Sequence, residues 1–225
     1  MGQAIGGSLP LAIGIAISPI PIIAVVLMLT TPRAKANGLA FLAGWLLGLG
    51  IVGTIVLAVA GPAGASQSGE PATWVSWMKL VLGALLLLVA LRQFRSRPRG
   101  DDQAPMPQWM GAVDKFKPLT ALGFAALLAG ANPKNLLLAV AGAAAIAQTG
   151  ISGAQQAIAY LIFALIAAVG VAAPVVIYFG MGDRSQEMLT GLKDWMGHNN
   201  AVIMSVLCLI IGAKLIGDAI SGLTG

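Results

Sequence analysis

The stretch Gly130-Ala131-Asn132-Pro133-Lys134-Asn135 sits midway along residues 119–147, an otherwise almost wholly apolar run long enough to cross a bilayer. An amide, a helix breaker, an ammonium and a second amide therefore fall at mid-membrane depth. A lysine there costs about 2.5–3.5 kcal/mol on insertion scales. Proline removes a backbone donor and clashes with the preceding turn, and the backbone groups it frees must be satisfied by protein or by cavity water. Such a pattern describes a broken helix lining a site, as in secondary transporters. The competing reading is a proline kink whose Lys134 reaches a neighbouring carbonyl. Intramembrane ionisable groups are functional by default, which favours the first.

Composition supports a membrane setting. The 225 residues are 58% hydrophobic and 9% charged, with a mean hydropathy of +0.89, whereas soluble domains carry about 25% charged residues. Periodicity is helical and continuous, which excludes a transmembrane β-barrel. The net charge of +5 comes from loop Lys and Arg, so it does not point to nucleic acid. Cys208 is the sole cysteine and His198 the sole histidine. There is thus no disulfide framework, no CxxC and no Cys/His metal cluster. The first residues lack a charged n-region, so no cleaved signal peptide is expected and the first span stays in the mature protein.

The expected fold is an all-α integral membrane protein with six spans, at 9–29, 39–60, 75–91, 119–147, 155–179 and 201–220. Span one is broken at Ser18-Pro19-Ile20-Pro21, because two prolines so close together cannot both sit inside a regular helix. In span two Gly44, Gly48, Gly50 and Gly53 are read as one small-residue face for close helix contact. Trp74 and Trp77 suit an interfacial anchor for span three. Residues 183–197 place Met188, Leu189, Leu192, Trp195 and Met196 at helical spacing, with Asp183 as cap. They are read as a short amphipathic helix lying in the interface. Span six carries Lys214 and Asp218, i,i+4 neighbours that form either a local ion pair or a coupling site.

Spans one and four share a mid-span break, and Pro19 to Gly38 is 19 residues where Pro133 to Gly153 is 20. The chain accordingly divides into a three-helix repeat at 1–94, a basic linker at 95–118 and a second three-helix repeat at 119–225. An odd number of spans per repeat inverts the second copy relative to the first, the design of many secondary transporters. Ten of the 13 Lys and Arg fall in the loops joining spans one to two and three to four and in the segment before span six. These segments are expected to be cytoplasmic and both termini outside, in a multi-pass plasma-membrane protein.

Of the acidic residues only Asp218 falls within a span. A divalent-metal exporter would need hard oxygen or thiolate ligands there, and a thiol–disulfide electron carrier a second cysteine. No catalytic constellation appears, so no enzyme, metal or cofactor is expected. The polar groups at the two breaks are Ser18, Asn132, Lys134 and Asn135, flanked by Pro19, Pro21 and Pro133. An ammonium beside exposed helix N-termini favours an anion, whether carboxylate, sulfate or phosphate.

The residues resemble a known family. Six spans, a proline break in span one and Asn132-Pro133-Lys134 in span four are similar to the lysine-exporter (LysE) transporter superfamily. Within it, four segments resemble the GAP family of glycopeptidolipid- and sulfolipid-addressing proteins: Ser18-Pro19-Ile20-Pro21, the run from Pro32 to Gly38, Ala131-Asn132-Pro133-Lys134-Asn135-Leu136, and the run from Gly212 to Asp218. The resemblance covers nearly the whole chain. It implies the six-span inverted-repeat fold and a part in moving glycolipids to the cell surface, beside a larger lipid-exporting membrane protein. Three functions are carried forward: a transporter or accessory exporter for an anionic or polar-headed lipid, a secondary exporter of a small amino-acid-like solute, and a non-transporting scaffold for a larger exporter. A homodimer through the small-residue face of span two, or through span six, fits all three.

Overall fold

The computed structural model describes residues 1–64, 73–97 and 108–224. Glu70, residues 98–107 of the linker, and the side chains of Trp74, Trp109, Asp114 and Asp183 lie outside the described residues. The described residues hold no strand; they form eight α-helices and two short 3-10 segments. In chain order the helices are α1 (Gly2–Ala16), α2 (Pro19–Leu29), α3 (Ala34–Gly64), α4 (Thr73–Arg95), α5 (Pro118–Gly130), α6 (Pro133–Ala147), α7 (Gly153–Met181) and α8 (Ser185–Thr224).

Four of these, α3, α4, α7 and α8, are long and apolar enough to cross a membrane. The other four are too short alone, because a span needs about 20 residues. They form two bent pairs: α1 and α2 meet at 51°, and α5 and α6 at 66°. Counting each pair as one crossing gives up to six spans. The chain is a multi-pass membrane protein.

Local sequence sets the boundaries. Pro19, Pro118 and Pro133 each stand in the first turn of a helix, where a missing N–H costs nothing. Gly150, with φ 63°, turns the chain from α6 toward α7. A capping box then starts α7: the Gln155 amide donates to Ser152 Oγ at 3.4 Å, and the Ser152 amide to Gln155 Oε1 at 3.2 Å.

The packing is layered by small residues. α4 lies along α8, α3 lies along α5, and α1 sits between α6 and α7. α2 rests on α7 and α8, while α3 also meets α6 and α7. Phe41, Trp45, Phe163, Leu138 and Ile15 are fully buried at the centre. The outward stripe of α3 is Leu47, Ile51, Ile55 and Val59, spaced by one helical turn and 50–70% exposed. Apolar stripes of this size facing out suit lipid rather than water. Asn37 is buried; its amide donates to Phe116 O at 3.0 Å, tying the first turn of α3 to the entry of α5. This tie places Arg33 and Lys35 at the same end as Lys115 and Lys117.

Two expectations change. Residues 183–197 are not a separate helix. A 3-10 turn at Gly182–Arg184, closed by Ser185 Oγ donating to Gly182 O at 2.6 Å, leads into a single 40-residue helix. At 1.5 Å per residue α8 is about 60 Å long, twice the ~30 Å hydrocarbon thickness, so a third or more of it extends beyond the core. The glycines of α3 do not share one face either. Gly44 and Gly48 meet the Leu122 and Ala126 carbonyls of α5, Gly53 meets the Tyr160 ring of α7, and Gly50 faces open space. The residues lie 100° apart along a helix, so only Gly44 and Gly48 coincide. Their face is filled within the chain, which removes it as a dimer surface.

A Cβ at Gly48 would stand 2.6 Å from the Ala126 carbonyl oxygen. Gly48→Val should therefore lose about 1–3 kcal/mol through forced separation of α3 from α5. Gly50→Ala should be neutral or gain up to about 1 kcal/mol of helix propensity. Thermal or denaturant unfolding in one detergent checks both; equal effects would contradict the assigned faces.

Candidate functional site

The two helix breaks are built alike. Ser18 caps α2 with φ −67° and ψ 114°, and Asn132 caps α6 with φ −68° and ψ 118°. Proline follows each cap. Position by position, Ser18, Pro19, Ile20 and Pro21 correspond to Asn132, Pro133, Lys134 and Asn135. At the second break the Asn132 side chain accepts the Lys134 amide at 3.2 Å, which satisfies one of the free donors of a helix start. At the first break the prolines lack two such donors altogether.

The end of α1 is left with a carbonyl to satisfy. The Ile17 amide bonds Ile13 O and the Ser18 amide bonds Ile15 O, both at 3.0 Å. The Ser18 amide is the donor that a continued helix would send to Gly14 O, so that carbonyl is left over. Lys134 Nζ fills the vacancy, donating to Gly14 O at 2.7 Å across a separation of 120 residues. Lys134 is 2% exposed and is the one charged side chain in the buried core of the described residues. An ammonium at a helix C-terminus is also favoured by the helix dipole, by up to about 2 kcal/mol in partly buried geometry. One of its three N–H donors is used in this bond.

Gly14 makes the contact possible. A Cβ there would run into the Ile211 side chain of α8 and lie 3.1 Å from Leu138 Cδ1 of α6. On the opposite side, the Ala16 carbonyl at the same break abuts Gly170 of α7, which leaves no room for a larger residue. Cys208 of α8 is buried and lies within electrostatic reach of Lys134. Neither Gly14 nor Cys208 stands out in the sequence as part of a site. A glycine amid apolar residues carries no periodic signal, and a lone cysteine shows no partner.

The remaining expected residues divide. Asn135 is fully buried; its amide nitrogen donates to Leu128 O of α5 at 3.3 Å, and its Oδ1 has no partner among the described residues. Ser18 is buried at the first break and makes no capping bond with its side chain. Pro19 and Pro21 are buried beside it. The breaks thus meet through Lys134 and Gly14. Lys214 and Asp218 do not join them: they pair with each other at 2.6 Å, about 9 and 15 Å further along α8 than Cys208 at 1.5 Å per residue. No group of three His, Cys, Asp or Glu able to hold a metal occurs among the described residues.

What the arrangement offers is a cation and two amides held at the junction of two interrupted helices, in a setting otherwise built from Ala, Leu, Ile and Val. Each break is a bend between two half-helices, of 51° at the first and 66° at the second.

Comparison with known proteins places this geometry in a family. No curated protein and no solved structure matches the chain. The family model described as Sap, sulfolipid-1-addressing protein (SfLAP), matches residues 9–221, which take in both breaks, the Lys214–Asp218 pair and every helix at least in part. The chain belongs to the sulfolipid-1-addressing protein family.

Proposed function

We propose that the protein is a membrane transporter or accessory exporter that moves an anionic, polar-headed glycolipid toward the cell surface, with its site at the breaks of the first and fourth spans. The family match supports the substrate class, since the family is described as sulfolipid-1-addressing. The buried Lys134 supports the location, because an anionic sulfate or carboxylate head is a natural partner for an ammonium held in an apolar core.

The proposed layout is six spans in two inverted repeats, residues 1–94 and 119–225, with the superfamily of lysine exporters as the wider group. Three observations support it. At 1.5 Å per residue, each bent pair has an end-to-end length of about 35 Å after its bend, enough for a ~30 Å core. The cap dihedrals of the two breaks agree within a few degrees. The helix pairings also survive exchange of the halves. α4 with α8 and α3 with α7 map onto themselves, α3 with α5 maps onto α7 with α1, and α2 with α8 onto α6 with α4. The basic residues gathered at the end that holds Arg33, Lys35, Lys115 and Lys117 would then face the cytoplasm.

Surface-lipid mass spectrometry of a deletion strain tests the function. Complementation with the wild-type chain should restore one lipid class at the surface. Lys134→Ala should lose it while the protein level is retained, and shortening residues 95–107 should have little effect. Loss only with the shortened linker would instead mark a scaffold for a larger exporter.

In reconstituted vesicles the chain should release no labelled amino acid under an imposed pH gradient. Efflux that Lys134→Ala abolishes would replace the lipid by a small amino-acid-like solute at the same site.

A further inference from the structure

A second cationic cluster lies on the seam between α4 and α8, away from the breaks. The two helices run antiparallel with their backbones in close approach. A Cβ on Gly83 would stand 2.9 Å from Gly212 O, and one on Gly212 3.0 Å from Gly83 O. One turn before Gly83, Lys79 comes within electrostatic reach of both Lys214 and Asp218. Asp218 is already taken by Lys214 at 2.6 Å, and both of those side chains remain more than a third exposed. Lys79 is half-buried and makes no hydrogen bond or ion pair among the described residues. Two ammonium groups thus share one carboxylate, and a positive charge is left over.

Its depth says what the charge meets. Lys79 is the fourth residue of the apolar span Ser76–Arg95, about 4.5 Å inside its edge at 1.5 Å per residue. From there a lysine stem reaches the headgroup layer. Trp77, 55% exposed and two residues away, is the aromatic residue expected at that level. Ile210 and Val206, both exposed, follow Lys214 toward the membrane centre on the same side of α8 and suit acyl chains.

We propose that Lys79, Lys214 and Asp218 form a binding site for one anionic membrane lipid, whose phosphate or sulfate ester lies between the two ammonium groups at the α4–α8 seam. Lys79 and Lys214 bind the oxyanion, while Asp218 positions Lys214 and limits the affinity by competing for it. The site is independent of transport through the breaks.

Native mass spectrometry of the full chain in neutral detergent, titrated with phosphatidylglycerol and with phosphatidylcholine, tests this. The wild type should retain one tightly bound phosphatidylglycerol and no comparable phosphatidylcholine. Lys79→Gln with Lys214→Gln should weaken that binding about tenfold, and Lys79→Arg with Lys214→Arg should restore it. Asp218→Asn should tighten it several-fold, an effect that a purely structural ion pair would not give and that remains readable should the double Gln variant fail to fold. Undiminished binding in the double Gln variant, equal binding of phosphatidylcholine, displacement by inorganic phosphate, or weaker binding in Asp218→Asn would overturn the proposal.

Discussion

The bond from Lys134 to the Gly14 carbonyl is the constraint on which the centre of the molecule depends. Inside a membrane a backbone carbonyl without a donor costs several kcal/mol, and so does an unpaired ammonium. Here each removes the other's penalty. The carbonyl is free because Pro19 and Pro21 stop the first helix, and the lysine is in reach because Pro133 starts α6 at the same depth. Removing either break would strand the other's polar group. Their juxtaposition explains why Gly14, Leu138 and Ile211, from three different helices, close around one point.

Around that point the molecule is held by small residues, since the hydrophobic effect does not drive helices together in lipid. Gly44 and Gly48 admit the backbone of α5, Gly170 admits the end of α1, and Gly83 with Gly212 joins α4 to α8. Tyr160 adds a directed tie, its hydroxyl donating to Leu49 O at 2.8 Å in the gap left by Gly53. Large apolar side chains fill the centre and also face outward in stripes, as on α3, where a soluble bundle would carry polar residues.

Much of this was legible beforehand. Both breaks fall where the prolines put them, because proline acts through its own covalent geometry and needs no tertiary context. Which partner Lys134 takes was open between a ligand site and a neighbouring carbonyl, and the structure supplies the carbonyl. The identity of that carbonyl was hidden, for any residue within reach of Nζ offers one. The glycines of α3 follow one another closely in sequence but not on one face, because each residue advances 100° around the helix. The amphipathic segment 183–197 was correctly seen as helical, but its continuity with span six was missed. Asn199 lies inside the continuous helix and satisfies its side-chain amide on Trp195 O at 2.9 Å. Lys79 stands alone at the edge of its span in the sequence, because the charges near it lie on a helix more than a hundred residues away.

The two breaks match in backbone but not in chemistry, and this asymmetry bears on the proposed transport. Ile20 stands where the second break has Lys134, so a single cation serves both. An anionic headgroup that drew Lys134 away would leave the Gly14 carbonyl without a donor, a penalty of several kcal/mol at membrane depth that the end of α1 relieves only by moving or by admitting water. In the proposed function, capture of a headgroup at one break would then be coupled to displacement of the half-helix at the other. A lysine in each break would satisfy the carbonyl and the headgroup at once and remove that coupling. In the proposed reading, one lysine shared between two hinges links substrate binding to a change of shape.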